Sequence, residues 1–313
     1  MFPEYTICIL RLLFGKATKR AGFVPRIRKW TPDKIEKLIQ QGYGQGEGKD
    51  YKPWIQIGDF SSKGRGSRIP GHKTGRVHHF LSDLESNYYH NVVWPDPVID
   101  VREQYPLLPI SETEEIAEEL GIAHPKAPGS GISIPMTTDF LITVRNQNGT
   151  HLEARFVKYS KDLTNPRVQE KLTIEKCYWE RRGVPFKIVT ENNIHMEKVK
   201  SIRRILSNYQ YADAEKLSIE EQRELAEEVI GMLLMPENRY RSLGDNLVRV
   251  SRQLGLEDDM AWNMFLYLAA HKIIPINLEE RLVKTTPLKN LIPWDQIDET
   301  LVERGGEWIE HYA

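Results

Sequence analysis

The spacing of apolar and polar positions predicts an α/β half followed by a helical half. Thr31-Pro32-Asp33 reads as a helix start, with Thr as N-cap, Pro in the first turn and Ile35, Leu38 and Ile39 at helical spacing. That helix runs into Gly42-Tyr43-Gly44-Gln45-Gly46-Glu47-Gly48, a glycine-rich connector without the Gly-Lys-Ser/Thr of a phosphate loop. Trp54 to Ile57 is expected as a short strand. After a basic loop, a helix is expected from about Val77 to Tyr89, closed by Pro95 and Pro97. Val98 to Tyr105 reads as a strand, and a helix near Glu112 to Leu120 leads into the loop His124 to Pro135. The apolar strands Asp139–Val144 and Leu152–Lys158 are joined by Asn146-Gln147-Asn148-Gly149, where Asn-Gly marks a hairpin. Asn165-Pro166 caps a helix that runs to Arg182 and closes on Gly183, and Phe186 to Thr190 is a further strand.

Strands and helices alternate to about residue 193, the signature of one α/β domain. Beyond it the period is helical over 197–209, 219–234, 243–254 and 258–271, and Lys272 to Leu278 is expected as a short wing. The expected organisation is an extension over residues 1–28, an α/β domain over 29–194 and a mainly helical domain over 195–313. The apolar run Met260, Trp262, Met264, Phe265, Leu266 and Leu268 reads as core.

Composition changes this picture little; the distribution of charge changes it more. The chain has 313 residues, 40% hydrophobic and 28% charged, ordinary values for a globular protein of two domains. Cys8 and Cys177 lack any CxxC or Cys/His neighbour, which fits a reducing cytoplasm and argues against a disulfide framework or a zinc site. The apolar run Tyr5 to Phe14, broken by Arg11, is far short of the roughly 20 residues of a membrane span. The net charge of −1 conceals about +10 over residues 1–80 and −11 over the rest. Lys63, Arg65, Arg68, Lys73 and Arg76 cluster in a stretch without acids, a basic front suited to the phosphates of DNA. Glycines 64, 66, 71 and 75 let that backbone approach closely, and His72, His78 and His79 are too scattered for a metal site.

Three residues carry candidate chemistry. Glu85 lies on the expected 77–89 helix in a stripe with Leu81 and Tyr88; Asp139 opens one strand and Lys158 closes the next. Two carboxylates on separate elements followed by a lysine form a metal-dependent nuclease site, the carboxylates holding Mg²⁺ against a phosphate and the lysine steadying the attacking water. Each residue alone has a plainer reading: a buried Glu–Arg pair, a cap after Thr138, an edge lysine. The residue two before the lysine, expected to be acidic or amide, is Phe156, which binds no metal. Glu153 points to the opposite face by alternation. Glu175, in the stripe Val168, Leu172, Glu175 and Trp179, is expected to supply the missing carboxylate, with a salt bridge to Lys158 as the competing reading. Asp100, Arg102 and Gln104 share a strand face and are expected to support the site; Glu103 faces away.

The stretches Gly44 to Trp54, His72 to Glu85, Ile99 to Pro109, Met136 to Leu141 and Glu170 to Trp179 resemble the TnsA family, the endonuclease subunit of heteromeric cut-and-paste DNA transposases. The resemblance implies a restriction-endonuclease-like catalytic domain and a winged-helix-like C-terminal domain, with Glu85, Asp139 and Lys158 as active-site residues. It implies cutting of the 5′ strand at transposon ends with Mg²⁺ or Mn²⁺, beside a TnsB-type transposase and a TnsC-type ATPase regulator that contacts the C-terminal domain. Two other readings stand beside it: a stand-alone restriction or repair nuclease, and a non-catalytic adaptor with a degenerate nuclease fold, which Phe156 favours.

Overall fold

The structure is a computed structural model that describes residues 30–59, 65–215, 217–257 and 259–297. The expected extension over 1–28 and Lys63 of the basic loop lie outside the described residues. Helix α1 (Pro32–Gln40) begins as its sequence requires, with the Thr31 hydroxyl accepting the Lys34 N–H at 3.2 Å. A hairpin follows, β1 (Ser67–Gly71) against β2 (Arg76–Phe80). Helix α2 is Asp83–Val93, β3 is Val98–Pro106 and α3 is Ile110–Glu119. Strands β4 (Thr137–Asn146) and β5 (Gly149–Val157) precede α4 (Pro166–Arg181) and β6 (Phe186–Val189).

The main sheet has the order β3-β4-β5-β6, antiparallel except for the parallel β5–β6 pair, which α4 connects. Alternation along β4 feeds two cores. Phe140 and Ile142 pack with Phe80, Leu84 and Tyr89 on the side of α2, and Leu141 packs with Ile116, Ile174 and Trp179 on the side of α3 and α4. The chain is thus a mixed sheet flanked by helices on both faces, as in restriction-endonuclease-like folds, followed by a helical region.

That region contains α5 (Met196–Leu206), α6 (Tyr211–Glu215), α7 (Ile219–Leu234), α8 (Leu243–Leu254), α9 (Met260–Ala270) and α10 (Leu288–Leu291). Its centre is α9, where Met264, Phe265, Leu266 and Leu268 are buried among α7 and α8, so the apolar run is core. Helix α5 is shared: Val199 joins the sheet-side core, whereas Ile202 and Ile205 belong to the helical one. The wing expected at 272–278 forms no strand; Asn277 instead donates its N–H to the Leu291 carbonyl at 2.7 Å.

Two further expectations are corrected. Trp54–Ile57 is not a strand: Trp54 is buried, its ring stacked 6.1 Å from Trp30. The helix expected from Val77 begins only at Asp83, because residues 76–80 pair as β2 and Ser82 caps α2, its hydroxyl accepting the Glu85 N–H at 3.2 Å. Ser82-Asp83-Leu84-Glu85 is the Ser-x-x-Glu pattern that opens a helix, a signal that outweighs the apolar stripe through Leu81.

Candidate active site

Glu85 stands in the first turn of α2 and its carboxylate reaches back over the helix start. It accepts the Leu81 N–H at 3.0 Å and the Ser82 hydroxyl at 2.8 Å. Asp139 lies on β4 where β5 has left the β4 ladder, the register ending at Phe140 opposite Arg155. Its carboxylate accepts the Val157 N–H at 2.7 Å in place of a ladder bond. Lys158 follows β5, fixed by its own N–H on the Val189 carbonyl at 2.9 Å. Glu85, Asp139 and Lys158 line one open pocket of about 540 Å³, with Phe156, Tyr159 and Lys161 on its wall. The three residues singled out by the sequence are therefore brought together, although Glu85 arrives there through a cap rather than through a stripe on the expected helix.

The two carboxylates are bridged by a neutral group. Gln104 Nε2 donates to Asp139 Oδ1 at 3.2 Å and lies 3.5 Å from Glu85 Oε2. Burial raises the Glu85 carboxyl to about 7, and the neighbouring Asp139 adds to the shift. Burial likewise raises Asp139 to about 6, against the Val157 N–H, the Gln104 amide and the Lys158 charge, which lower it. The pair is thus two desolvated acids without enough positive charge to hold both ionised near neutral pH.

Glu175 is 2% exposed and does not line this pocket. The Thr138 hydroxyl donates to it at 2.7 Å, and Trp179 Nε1 donates to that hydroxyl at 2.6 Å. Burial and the charge of Asp139 raise its carboxyl well above the usual range. The expected third ligand is therefore one layer behind Asp139, and among the described residues no three His, Cys, Asp or Glu side chains form a metal-binding group. The competing reading, a salt bridge to Lys158, is not formed either; its partner is Thr138.

The basic front divides. Arg65 and Arg68 are exposed, Arg68 reaching the Ile57 carbonyl at 3.5 Å. Lys73 and Arg76, also expected as phosphate contacts, are half-buried and bonded to the protein itself. The Lys73 ammonium donates to the Pro95 and Val98 carbonyls at 2.6 and 2.7 Å. Arg76 grips Glu103 with two bonds of 2.8 and 2.6 Å and donates to the Val101 carbonyl at 2.8 Å.

Glu103 is the residue that sequence reasoning undervalued. It is fully buried and also bonded to His78 Nδ1 at 2.8 Å and to the His79 N–H at 3.0 Å. Burial pushes its carboxyl up, but Arg76 and His78 outweigh that and hold it at about 2. A Cβ at Gly71 would stand 2.4 Å from His78 Nε2, so the hairpin closes on this centre only with glycine there. Asp100 and Arg102, expected to support the pocket, pair with each other at 3.6 Å and reach the Glu47–Gly48 segment instead.

Two acids and a lysine at the end of a mixed sheet with helices on both faces are a nuclease-like arrangement. Residues 96–191, which include Asp139, Lys158 and Glu175, match the family model described as TnsA-like endonuclease N terminal. Over 227 residues the chain is 35% identical to the transposon Tn7 transposition protein TnsA of Escherichia coli, an alignment covering 72% of this chain and 77% of that protein. The chain belongs to the TnsA family.

Proposed function

We propose that this chain is a Mg²⁺-dependent DNA endonuclease of transposition, cutting the 5′ strand at transposon ends in concert with a TnsB-type transposase and a TnsC-type ATPase regulator. The observation that carries the reading is the pair of carboxylates, Glu85 buried and Asp139 half-buried, opening with Lys158 onto one pocket and bridged by an amide. The donor set fits the ion: Mg²⁺ takes oxygen ligands, commonly one or two carboxylates with the rest from substrate phosphate and water. Glu85 and Asp139 would hold it, and Mn²⁺ would substitute. Bound there, the ion supplies Lewis-acid polarisation of the phosphate.

The remaining work belongs to side chains. The Lys158 ammonium orients the attacking water and offsets charge gathering on the phosphate. Glu175, buried and held by the Thr138 hydroxyl one residue before Asp139, backs the strand that carries this carboxylate. Arg65 and Arg68 hold the DNA backbone without reading sequence. The helical region is the surface for the regulator, an expectation resting on the family.

Strand-resolved cleavage of transposon-end DNA with Mg²⁺, with and without the two partners, tests this. Asp139→Ala is expected to lose the 5′-strand cut and keep the 3′ cut made by the transposase. Unchanged 5′ cutting by that variant would leave the chain an adaptor, the reading that Phe156 favours. Efficient cutting of bare duplex without partners would make it a stand-alone nuclease.

A further inference from the structure

Alternation fails at one level of the sheet, on two neighbouring strands at once. Glu103 and Tyr105 are two residues apart on β3 and should face the same way. Yet Glu103 bonds His78 on the α2 side, and the Tyr105 ring lies 5.9 Å from Trp179 on the α4 side. Their β4 partners behave alike. Phe140, opposite Glu103, stacks 5.6 Å from Phe80, whereas Thr138, opposite Tyr105, bonds Glu175. The residues between are Gln104 and Asp139, so both strands reverse their facing at this pair.

The cause lies in the backbone of Gln104, whose φ of 49° is in the left-handed region that a glutamine enters only at a cost. Such a residue persists when its surroundings over-determine it. Here the Tyr51 hydroxyl donates to the Glu103 carbonyl at 2.9 Å, and the Trp54 N–H donates to the Gln104 carbonyl at 3.2 Å. The Glu103 side chain is anchored by Arg76, His78 and the His79 N–H. The amide itself is oriented by Thr137, whose hydroxyl donates to Oε1 at 3.1 Å and leaves Nε2 toward the two carboxylates.

We infer that Gln104 is a positioning residue: its left-handed backbone aims an oriented amide between Glu85 and Asp139, and that amide sets the relative orientation in which the two carboxylates receive a divalent cation. The inference rests on the reading of Glu85 and Asp139 as the cation-binding pair. Orienting groups around ligands of this kind are commonly worth about 10- to 100-fold in affinity. Asn tolerates the left-handed conformation but is one methylene shorter, so it keeps the kink and loses the reach. Gly relaxes the backbone and removes the amide altogether.

The test is Ca²⁺ titration by calorimetry on the full-length wild type, Gln104→Asn, Gln104→Gly and Asp139→Ala, with thermal melts of each and kcat and KM for end cleavage with the partners. Gln104→Gly is expected to melt no lower than wild type, yet both Gln104 variants should bind Ca²⁺ about tenfold more weakly and lose kcat with KM for DNA unchanged. Unchanged or tighter Ca²⁺ binding in both variants, with Asp139→Ala abolishing it, would overturn the role of Gln104 alone. Unchanged binding in Asp139→Ala would instead remove the reading on which it rests. If the only function of Gln104 were to bend the strand, Gln104→Asn would behave as wild type, and the inference would fall.

Discussion

Adjacent residues of β3 serve two buried carboxylate centres with opposite electrostatics. Glu103 is saturated, with a bidentate guanidinium, an imidazole and a backbone N–H closing on it, and its carboxyl sits at about 2. One position on, Gln104 bridges Glu85 and Asp139, which hold no such cation and rise to about 7 and 6. Burial is common to both, so the difference lies in what each centre is left short of. The satisfied centre is architecture, locking the β1–β2 hairpin to the sheet. The unsatisfied one faces an open pocket, where the proposed cation would supply the missing positive charge.

The comparison is broken most forcefully by Glu85→Ala. Loss of one of two carboxylates is expected to cut 5′-strand cleavage by roughly 10³-fold or more, read in a reconstituted end-cleavage assay with the fold intact. Lys158→Ala should cost roughly 10²-fold in kcat in the same assay, since it removes one electrostatic contact and leaves the carboxylates.

Glu103→Ala should act on the other side of the comparison. Removing the acid strands a buried guanidinium, at a cost of roughly 3–5 kcal/mol in stability, read from denaturant unfolding. An unfolding midpoint equal to wild type would show that the hairpin is held by other means.

The pH dependence sharpens the contrast. Glu85 and Asp139 titrate above their unfolded values, so between about pH 4 and 7 the folded chain binds more protons than the unfolded one. Their contribution is fully present below that window and is lost as pH rises through it. Glu103, depressed, contributes stability above its unfolded pKa and loses it as pH falls toward 2. Asp139→Asn should therefore stabilise the metal-free protein at pH 8 by roughly 1–3 kcal/mol and leave it nearly unchanged at pH 4, measured by chemical unfolding at both values. The smallest effect is expected at the surface. Arg65→Ala and Arg68→Ala should each lower the salt slope of DNA binding by about one, with the cleavage step untouched.

How far these centres are legible in the sequence follows from how local their causes are. Strands β3 to β5 and helix α4 announce themselves through alternation, the Asn-Gly turn, the Asn165-Pro166 cap and Gly183. The same patterns place Lys158 directly after β5, whereas Asp139, expected to open its strand, is the third residue of β4, because Thr137 and Thr138 already pair with β3. Glu85 lies on a helix as expected, but that helix starts at Asp83 rather than near Val77, because residues 76–80 owe their extended form to pairing with β1, and only Ser82 signals locally where α2 begins. Arg76 looks like a phosphate contact because its partner, Glu103, lies 27 residues away. The left-handed turn at Gln104 carries no local signal at all; Tyr51 and Trp54, some fifty residues upstream, receive it.

The account turns on the claim that Glu85 and Asp139 form a cation site while the neighbouring acid does not. Mn²⁺ titration of the DNA-free protein, followed by electron paramagnetic resonance, addresses it directly in wild type and Asp139→Ala. The account predicts bound Mn²⁺ in the wild type, its loss in Asp139→Ala, and competition by Mg²⁺. Equal Mn²⁺ binding by the two proteins would contradict it.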